Sequence, residues 1–315
     1  MNAPRTRVQR RPVHGVLLLD KPLGLSSNQA LQKCKWLLRA EKAGHTGTLD
    51  PLATGVLPLC FGAATKFSQL QLDADKTYEA TLRLGARTAT GDAEGAVVEE
   101  REVPVVTQPL LDEIARRFTG AQRQVPPMHS ALKKDGKALY EYARAGQEVA
   151  REPRGVVIHE LSLQADGDDA RVVRLRAKVS KGTYIRTLGE DIGEALGCGA
   201  HLTQLRRTKT GPFDLSQCVT LPALESQAED ARMHSLLPVD ALLADHTAVT
   251  LDADNAGRFL SGLRRRGQWA DTAQVAVYGE DPRALLGTAH VTAGELIPGR
   301  LLSPPEVRQI LESKP

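Results

Sequence analysis

The stretch Gly44-His45-Thr46-Gly47-Thr48-Leu49-Asp50-Pro51-Leu52-Ala53-Thr54-Gly55-Val56-Leu57 is apolar but contains several residues that break regular structure. Pro51 has a fixed φ and disfavours a helical backbone at the residue before it. Glycine permits a positive φ or the close approach of another segment. The glycines of this stretch are Gly44, Gly47 and Gly55. We therefore predict neither one helix nor one strand here, but a stiff loop that holds a single carboxylate, Asp50, among apolar residues.

Two interpretations of Asp50 are open from this pattern alone. An Asp-Pro pair commonly starts a turn, and a turn requires no function. An enzyme that must aim one ionisable group also needs a carboxylate on a rigid support. Spacing does not choose between the two.

Length and composition indicate an ordinary globular protein. A chain of 315 residues suggests about two domains, and 41% hydrophobic with 25% charged residues is enough to build a full core. No apolar run is long enough to span a membrane, and the N-terminus lacks the apolar segment of a secretory signal. We expect a cytoplasmic protein without membrane contact, whose residues 1–12 form a basic, disordered tail containing four arginines.

The cysteines and histidines show no metal-binding spacing. The four cysteines are far apart and form no CxxC pair, which favours free thiols in a reducing cytoplasm. The eight histidines form no HExxH motif. Neither a P-loop nor a dinucleotide-binding fingerprint is present. We therefore expect no metal, no nucleotide and no other cofactor.

Positive charge is concentrated in one part of the chain. The net charge is only +3, but residues 171–209 contain nine basic and three acidic residues, a local net charge of +6. Such asymmetry suits a surface that faces phosphates, and an ordinary solvated strand face would also carry it. Residues 121–156 are also polar and basic, with Tyr140 and Tyr142 among them. Basic residues interleaved with aromatic ones suit looped RNA, so we interpret 121–156 as an insertion that closes over a substrate.

Periodicity places three aromatic or charged residues on regular elements. Residues 77–84 alternate as a half-buried strand, with Tyr78 on the core side. Residues 173–179 form a second such strand, which leads into a helix whose first turn contains Tyr184 and Arg186. A helix N-terminus favours an anion, and the adjacent guanidinium of Arg186 strengthens that preference, so a carboxylate docked there would stay ionised. Asp50 is the candidate. The alternatives without a function are a core tyrosine and a surface arginine.

Several ordered motifs resemble the TruB family of bacterial pseudouridine synthases, which modify the T-loop uridine of tRNA. They are GVLLLDKPLGLSS, GHTGTLDPLATGVLPLCFGAATK, DKTYEATLRLG, VPPMHSALKKDGKALYEYAR, SKGTYIRTL and LRRTKTGPF. The resemblance extends from about Gly15 to Leu221 and continues more weakly to the C-terminus. After residue 248 the chain has short apolar runs and many glycines, a pattern that is similar to a PUA domain, an RNA-binding module.

The resemblance implies a mixed α/β (α+β) fold. A catalytic domain over 13–245 would contain a largely antiparallel bent sheet and the RNA-binding insertion 121–156, and a small β-rich PUA-like domain would follow over 248–315. It also implies isomerisation of uridine 55 in the tRNA T-stem-loop to pseudouridine. The base is flipped out, its glycosidic bond is cleaved and a C–C bond forms at C5. No cofactor is implied, and we expect a monomer.

The resemblance implies roles for three catalytic residues. Asp50 would be the ionised carboxylate, acting as a nucleophile at C1′ or as a base on the sugar. Arg186 would pair with it and depress its pKa. Tyr78 would stack on the flipped uracil and help to remove the C5 proton.

Five further residues are implied to bind substrate. His45 would fill the space left by the flipped base or hold the RNA strand, and Tyr184 would pack near the uracil ring. Leu205 would line the uracil pocket. Lys21 and Lys66 would support strand positioning or loop structure.

Two other functions compete with the enzyme. An RNA-binding or RNA-chaperone protein would use the same basic segments but would not need Asp50 with Arg186 and Tyr78. A carboxylate hydrolase would need a second acidic catalyst, for which Asp73, Asp75 and Asp92 are candidates that no pattern singles out.

Overall fold

The computed structural model describes residues 9–312, so most of the predicted tail (1–12) lies outside the described residues. At the end of that tail the expectation of disorder is wrong. The Arg10 side chain donates hydrogen bonds to the carbonyls of Lys35 and Ala40, both at 3.2 Å. The Arg11 backbone N–H donates to the carbonyl of Arg39 at 2.8 Å. These backbone contacts hold the two arginines against the end of the first helix.

Strands make up most of the regular structure. Within residues 9–312 they are β1 (Gly15–Lys21), β2 (Ala43–His45), β3 (Ala53–Phe61), β4 (Lys76–Leu84), β5 (Ala86–Thr88), β6 (Val97–Glu100), β7 (Gly120–Gln124), β8 (Lys133–Lys134), β9 (Lys137–Ala138), β10 (Arg154–Ala165), β11 (Val172–Val179), β12 (Ala200–Thr210), β13 (Phe213–Asp214), β14 (Val219–Thr220), β15 (Leu236–Leu237), β16 (Thr247–Leu251), β17 (Arg265–Arg266), β18 (Thr272–Gly279), β19 (Ala284–Thr292) and β20 (Glu295–Leu301).

The helices are fewer and short. The α-helices are α1 (Ser27–Leu37), α2 (Gln108–Phe118), α3 (Leu139–Arg144), α4 (Ile185–Ala195), α5 (Leu221–Ser226), α6 (Ala253–Leu260) and α7 (Pro304–Glu312). Ser26 caps α1, because its hydroxyl accepts the backbone N–H of Gln29.

The large sheet has the strand order β14-β1-β3-β12-β4-β11-β10-β7. Most neighbours are antiparallel, while the pairs β1–β14 and β3–β12 are parallel. The predicted mixed fold with a largely antiparallel sheet is therefore confirmed. Alternating apolar residues of these strands pack against α1, α2 and α4 in one hydrophobic cluster that includes Leu82, Leu175, Ile114 and Leu188.

The strand β3 approaches β12 so closely that a glycine is required. Gly55 has a φ of +101°, and a Cβ placed there would lie 2.2 Å from the carbonyl oxygen of Arg207. Gly47 also has a positive φ, of +83°. Gly44 needs neither property, since a Cβ at that position would have its nearest neighbour 4.0 Å away. The close approach places the Asp50 loop beside β12 at the centre of the sheet.

A second sheet, of order β16-β18-β19-β20-β17, follows the large one in the chain. Its Ala276, Tyr278 and Leu285 share a buried cluster with Phe67 and Leu242 of the preceding part. This common apolar cluster joins the C-terminal β-rich part to the large sheet.

The element bounds also show that both ends of the segment 121–156 are strands of the large sheet, β7 and β10, so only residues 125–153 lie outside its strands.

Candidate active site

A cavity of about 350 Å³ opens between the Asp50 loop, β4, β12 and the start of α4. Its volume is at the lower end of the range for small-ligand pockets, about 300–1,000 Å³. It brings together five of the predicted site residues: Asp50, Tyr78, Tyr184, Arg186 and Leu205.

The loop that carries Asp50 is anchored to the first helix. The backbone N–H of Leu49 donates to the hydroxyl of Ser27 at 2.7 Å, and that hydroxyl donates to the carbonyl of Leu49 at 3.0 Å. The carbonyl of Pro51 accepts the N–H of Gly24 at 2.8 Å. These bonds hold the backbone on both sides of Asp50, so the carboxylate is aimed by a rigid support, as the sequence predicted for an active-site loop.

Arg186 is the partner of Asp50. Its Nη2 lies 3.0 Å from Oδ2 of Asp50, and its side chain is only 5% exposed. Nη1 donates to the carbonyl of Thr90 at 2.9 Å, and Nη2 donates to the carbonyl of His129 at 2.7 Å. These oxygens surround the guanidinium and offset the unfavourable helix dipole at the start of α4.

Asp92 is a second carboxylate on the same arginine. Its Oδ2 lies 3.7 Å from Nε of Arg186, and its side chain is 4% exposed. Its Oδ1 accepts hydrogen bonds from the Thr90 hydroxyl and the Glu94 backbone N–H. The sequence offered Asp92 only as a possible acid of a hydrolase. The structure places it behind Arg186, where it holds the guanidinium toward Asp50.

The pKa of Asp50 differs from the expectation. Burial raises this pKa above its ordinary value, Arg186 opposes the shift, and the nearby charge of Asp92 adds to it. Arg186 therefore lowers the pKa of Asp50 as expected, but the net shift is upward. Desolvation in the cavity outweighs the single ion pair, because removing a carboxylate from water disfavours its charged form.

The aromatic and apolar residues of the cavity come from three elements. Tyr78 lies on the core side of β4 and is 9% exposed, as its alternation predicted. Leu205 of β12 pairs with Ala53 on one side and with Ala80 on the other. Tyr184 caps α4, and its backbone N–H donates to the Gln124 side chain at 3.0 Å. Gln124, on the buried end of β7, positions Tyr184 and was not found from the sequence.

His45 and Lys21 lie beside the cavity rather than in its wall. His45 is half-buried in β2, and burial together with the charge of Arg207 lowers its pKa, which favours the neutral imidazole. Lys21 is completely buried, and its Nζ donates to the carbonyls of Pro22 and Leu25. These bonds make Lys21 a support of the loop after β1, one of the two roles expected for it.

Lys66 lies away from the cavity and makes structural contacts. Its Nζ lies 2.6 Å from a carboxylate oxygen of Glu306 and donates to the carbonyl of Leu301 at 3.0 Å. It does not line the cavity. Its contacts join the segment after β3 to the C-terminal helix α7 and to β20. They agree with a role in loop structure, one of the two roles expected for Lys66.

Two further basic residues line the cavity, Lys76 of β4 and Arg207 of β12. Both are more than nine-tenths buried. For Arg207 the sequence indicated only that residues 171–209 are basic, and it did not single out Lys76, because nothing local shows which basic side chains point inward.

Family models match nearly the whole chain. Residues 35–185 match the model of the TruB family pseudouridylate synthase (N terminal domain). Residues 186–244 match the tRNA pseudouridylate synthase B C-terminal domain, and 247–302 match Pseudouridine synthase II TruB, C-terminal.

Within residues 9–312, every helix is too short or too polar to serve as a membrane span.

Curated relatives and solved structures agree with these models. The chain is 63% identical to tRNA pseudouridine synthase B of Verminephrobacter eiseniae, over 99% of this chain and 96% of that one. It is 59% identical to the protein of the same name from Cupriavidus metallidurans, over 94% and 96% of the two chains. Among solved structures it resembles a Cbf5-Nop10-Gar1 complex chain, at 26% identity and a TM-score of 0.67, over 96% of this chain and 82% of that one.

Proposed function

The chain belongs to the TruB family of pseudouridylate synthases, and from that membership we propose its substrate and the residues that act on it. It converts uridine 55 in the T-loop of tRNA to pseudouridine. The similarity to tRNA pseudouridine synthase B over nearly the full length of both chains supports this specificity.

One observation supports the chemistry above the others: the pair of Asp50 and Arg186, 3.0 Å apart, in the wall of a nucleotide-sized cavity. In the reaction the bond between N1 and C1′ breaks and a bond between C5 and C1′ forms. C5 loses a proton and N1 gains one, so the product is an isomer and no oxidant or reductant is consumed. Asp50 supplies the ionised oxygen, which either attacks C1′ or removes a sugar proton.

The ion pair also explains how Asp50 stays charged in a partly dry cavity. Burial favours the protonated acid, and the Arg186 guanidinium favours the carboxylate. Without the arginine, the buried charge would lose its only close ion-pair partner among residues 9–312. Arg186 therefore keeps Asp50 ionised and fixes its direction.

A uridine inside a folded T-loop must leave its stack before it reaches this cavity. Tyr78 offers the ring on which the uracil stacks, and it helps to remove the C5 proton. Leu205 supplies an apolar contact to the base, and Tyr184 packs beside Asp50. His45, neutral and next to the cavity, fills the space that the flipped base leaves in the loop.

The remainder of the molecule holds the RNA. The segment 125–153 contributes Ser130, Ala131 and Leu132 to the cavity wall and closes over the bound nucleotide. The PUA-like part, residues 248–315, binds RNA outside the cavity. The proposal includes a monomeric enzyme, and a tRNA substrate supports action in the cytoplasm.

The test compares wild type, Asp50→Asn and Asp73→Asn on an unmodified tRNA transcript, with conversion and binding measured separately. Asp73 is a matched control, since it pairs with Lys181 at the surface. We expect wild type and Asp73→Asn to convert the T-loop uridine, and Asp50→Asn to bind the transcript without converting it. Binding by all three proteins without any conversion would make the chain an RNA binder and refute the enzyme.

A further inference from the structure

Among residues 9–312, the buried guanidinium of Arg207 has no acidic partner. Its side chain enters the cavity wall from β12 and is 1% exposed. Nε donates to the carbonyl of Val56 at 2.8 Å, whereas Nη2 is buried and has no hydrogen-bond partner within residues 9–312. Among the same residues, no carboxylate lies within 4.0 Å of it. A buried arginine with a free donor favours an anion that arrives from outside the protein.

Lys76 lies in the same wall. Its side chain is 8% exposed, and Nζ donates to the carbonyls of Leu72 and Ala74. The neighbouring acids are engaged elsewhere: Asp73 pairs with Lys181 at 2.8 Å, and Asp75 pairs with His159 at 3.2 Å. Since an ammonium has three N–H donors, Lys76 keeps one donor beyond its two carbonyl partners.

Strand pairing places both cations next to the tyrosine of the site. Tyr78 lies directly opposite Arg207 in the β4–β12 ladder, and Lys76 is two residues before Tyr78, on the same face of β4. The cavity's carboxylate, Asp50, is held by Arg186. The wall beside Tyr78 therefore has uncompensated positive charge, which a neutral uracil base does not balance.

A nucleotide brings an anion of the right kind. The phosphodiester groups on either side of a flipped nucleotide each carry one negative charge and several acceptor oxygens. We propose that Lys76 and Arg207 form a phosphate subsite that binds one of the two phosphodiesters flanking the flipped uridine. The proposal rests on the RNA substrate proposed above and deepens it. It assigns the anchoring of the reactive nucleotide to two cations that are not part of the Asp50–Arg186 pair.

The experiment uses T-stem-loop RNA in which one flanking phosphodiester is replaced by a neutral methylphosphonate, either 5′ or 3′ of the target uridine. Dissociation constants are measured for the full-length wild type, Lys76→Met and Arg207→Met. Arg176→Met is the control, because Arg176 is exposed on the opposite face of the sheet. Arg207→Lys keeps the positive charge and tests rescue.

We expect one of the two replacements to weaken wild-type binding about tenfold, as for the loss of a charge-assisted hydrogen bond. Lys76→Met and Arg207→Met should lose a similar factor on native RNA but little on that modified RNA. Relative to wild type, the affinity of Arg176→Met should change by the same factor on native and on modified RNA. The salt dependence of binding should also flatten in the two subsite variants, with the slope reduced by about 1 for each phosphate that is no longer neutralised.

Two results would overturn the subsite. One is that neither methylphosphonate weakens binding by the wild type. This result is measured on the wild-type protein alone, so it does not depend on whether a variant folds. The other is an equal loss for each variant on native and on both modified RNAs, which would make the two cations supports of the Val56, Leu72 and Ala74 carbonyls. Conversion of native RNA by wild type is measured in parallel. Its absence, combined with charge-specific binding, would refute the proposed reaction and leave the subsite standing.

Discussion

The guanidinium of Arg186 lies 3.0 Å from the carboxylate of Asp50 at the start of a helix whose dipole disfavours an arginine. The backbone carbonyls of Thr90 and His129 and the carboxylate of Asp92 complete its surroundings. The two sides of this arrangement, the arginine and the second carboxylate, affect the pKa of Asp50 in opposite directions. They can therefore be distinguished by pH–rate profiles.

Replacement of Arg186 by glutamine should slow conversion and move its acid limb to higher pH. The reaction needs ionised Asp50, whose pKa burial already raises, and loss of the guanidinium raises it further. We expect a fall in kcat of about 10²–10³-fold, as for the removal of a preorganised electrostatic contact. Single-turnover rates between pH 5 and 9 measure both effects. Arg83→Gln is the control, since Arg83 pairs with Asp169 at the surface, and an unshifted limb in Arg186→Gln would contradict the assignment.

Replacement of Asp92 by asparagine should move the acid limb in the other direction. The charge of Asp92 raises the pKa of Asp50, so its removal lowers that pKa and extends activity to lower pH. The plateau rate should nevertheless fall about tenfold, because Arg186 loses one of the groups that hold it in place. The same pH series measures the shift. A limb displaced to higher pH would show that Asp92 acts mainly through the position of Arg186 rather than through its charge.

Replacement of Gly55 by alanine should destabilise the protein strongly. Its φ is +101°, and the new Cβ would lie 2.2 Å from the carbonyl oxygen of Arg207, which is backbone and cannot move alone. We expect a loss of about 2–4 kcal/mol in the free energy of unfolding, measured by denaturant titration. Gly155→Ala is the matched strand control, since no atom lies within 4 Å of a Cβ there. Equal stability of the two variants would refute the close approach of β3 and β12.

Replacement of Lys66 by methionine tests whether this residue affects conversion in the cavity or only the contact between the two parts of the chain. Lys66 binds Glu306 and the carbonyl of Leu301 and does not line the cavity. We expect an unchanged conversion rate and a loss of about 1 kcal/mol in unfolding free energy, which is typical of a half-buried ion pair with a hydrogen bond. Thermal unfolding and single-turnover rates provide the two measurements. A large fall in rate at unchanged stability would return Lys66 to the substrate-binding residues.

Local sequence pattern was sufficient for the elements that carry the site. Alternation of apolar residues predicted the strand with Tyr78 facing the core, and helical spacing predicted the helix that begins beside Arg186. The helix N-terminus and the arginine together favour an anion, and Asp50 on its Pro-flanked loop was the candidate. These inferences succeed because strand and helix periodicity, and the backbone limits of proline and glycine, depend only on neighbours along the chain.

Only the tertiary structure decided which charged residues meet and what the cavity does to them. Lys76 and Arg207 come from β4 and β12, and strand order rather than sequence distance brings them into the cavity wall. Asp92, from the loop after β5, and Gln124, from β7, contact the cavity residues Arg186 and Tyr184. The ion-pair partner of Lys66, Glu306, is 240 residues away, so neighbouring residues in the sequence could not show that contact. The raised pKa of Asp50 has a further cause: desolvation depends on the enclosed volume that several segments create together, and a local pattern of residues has no such volume.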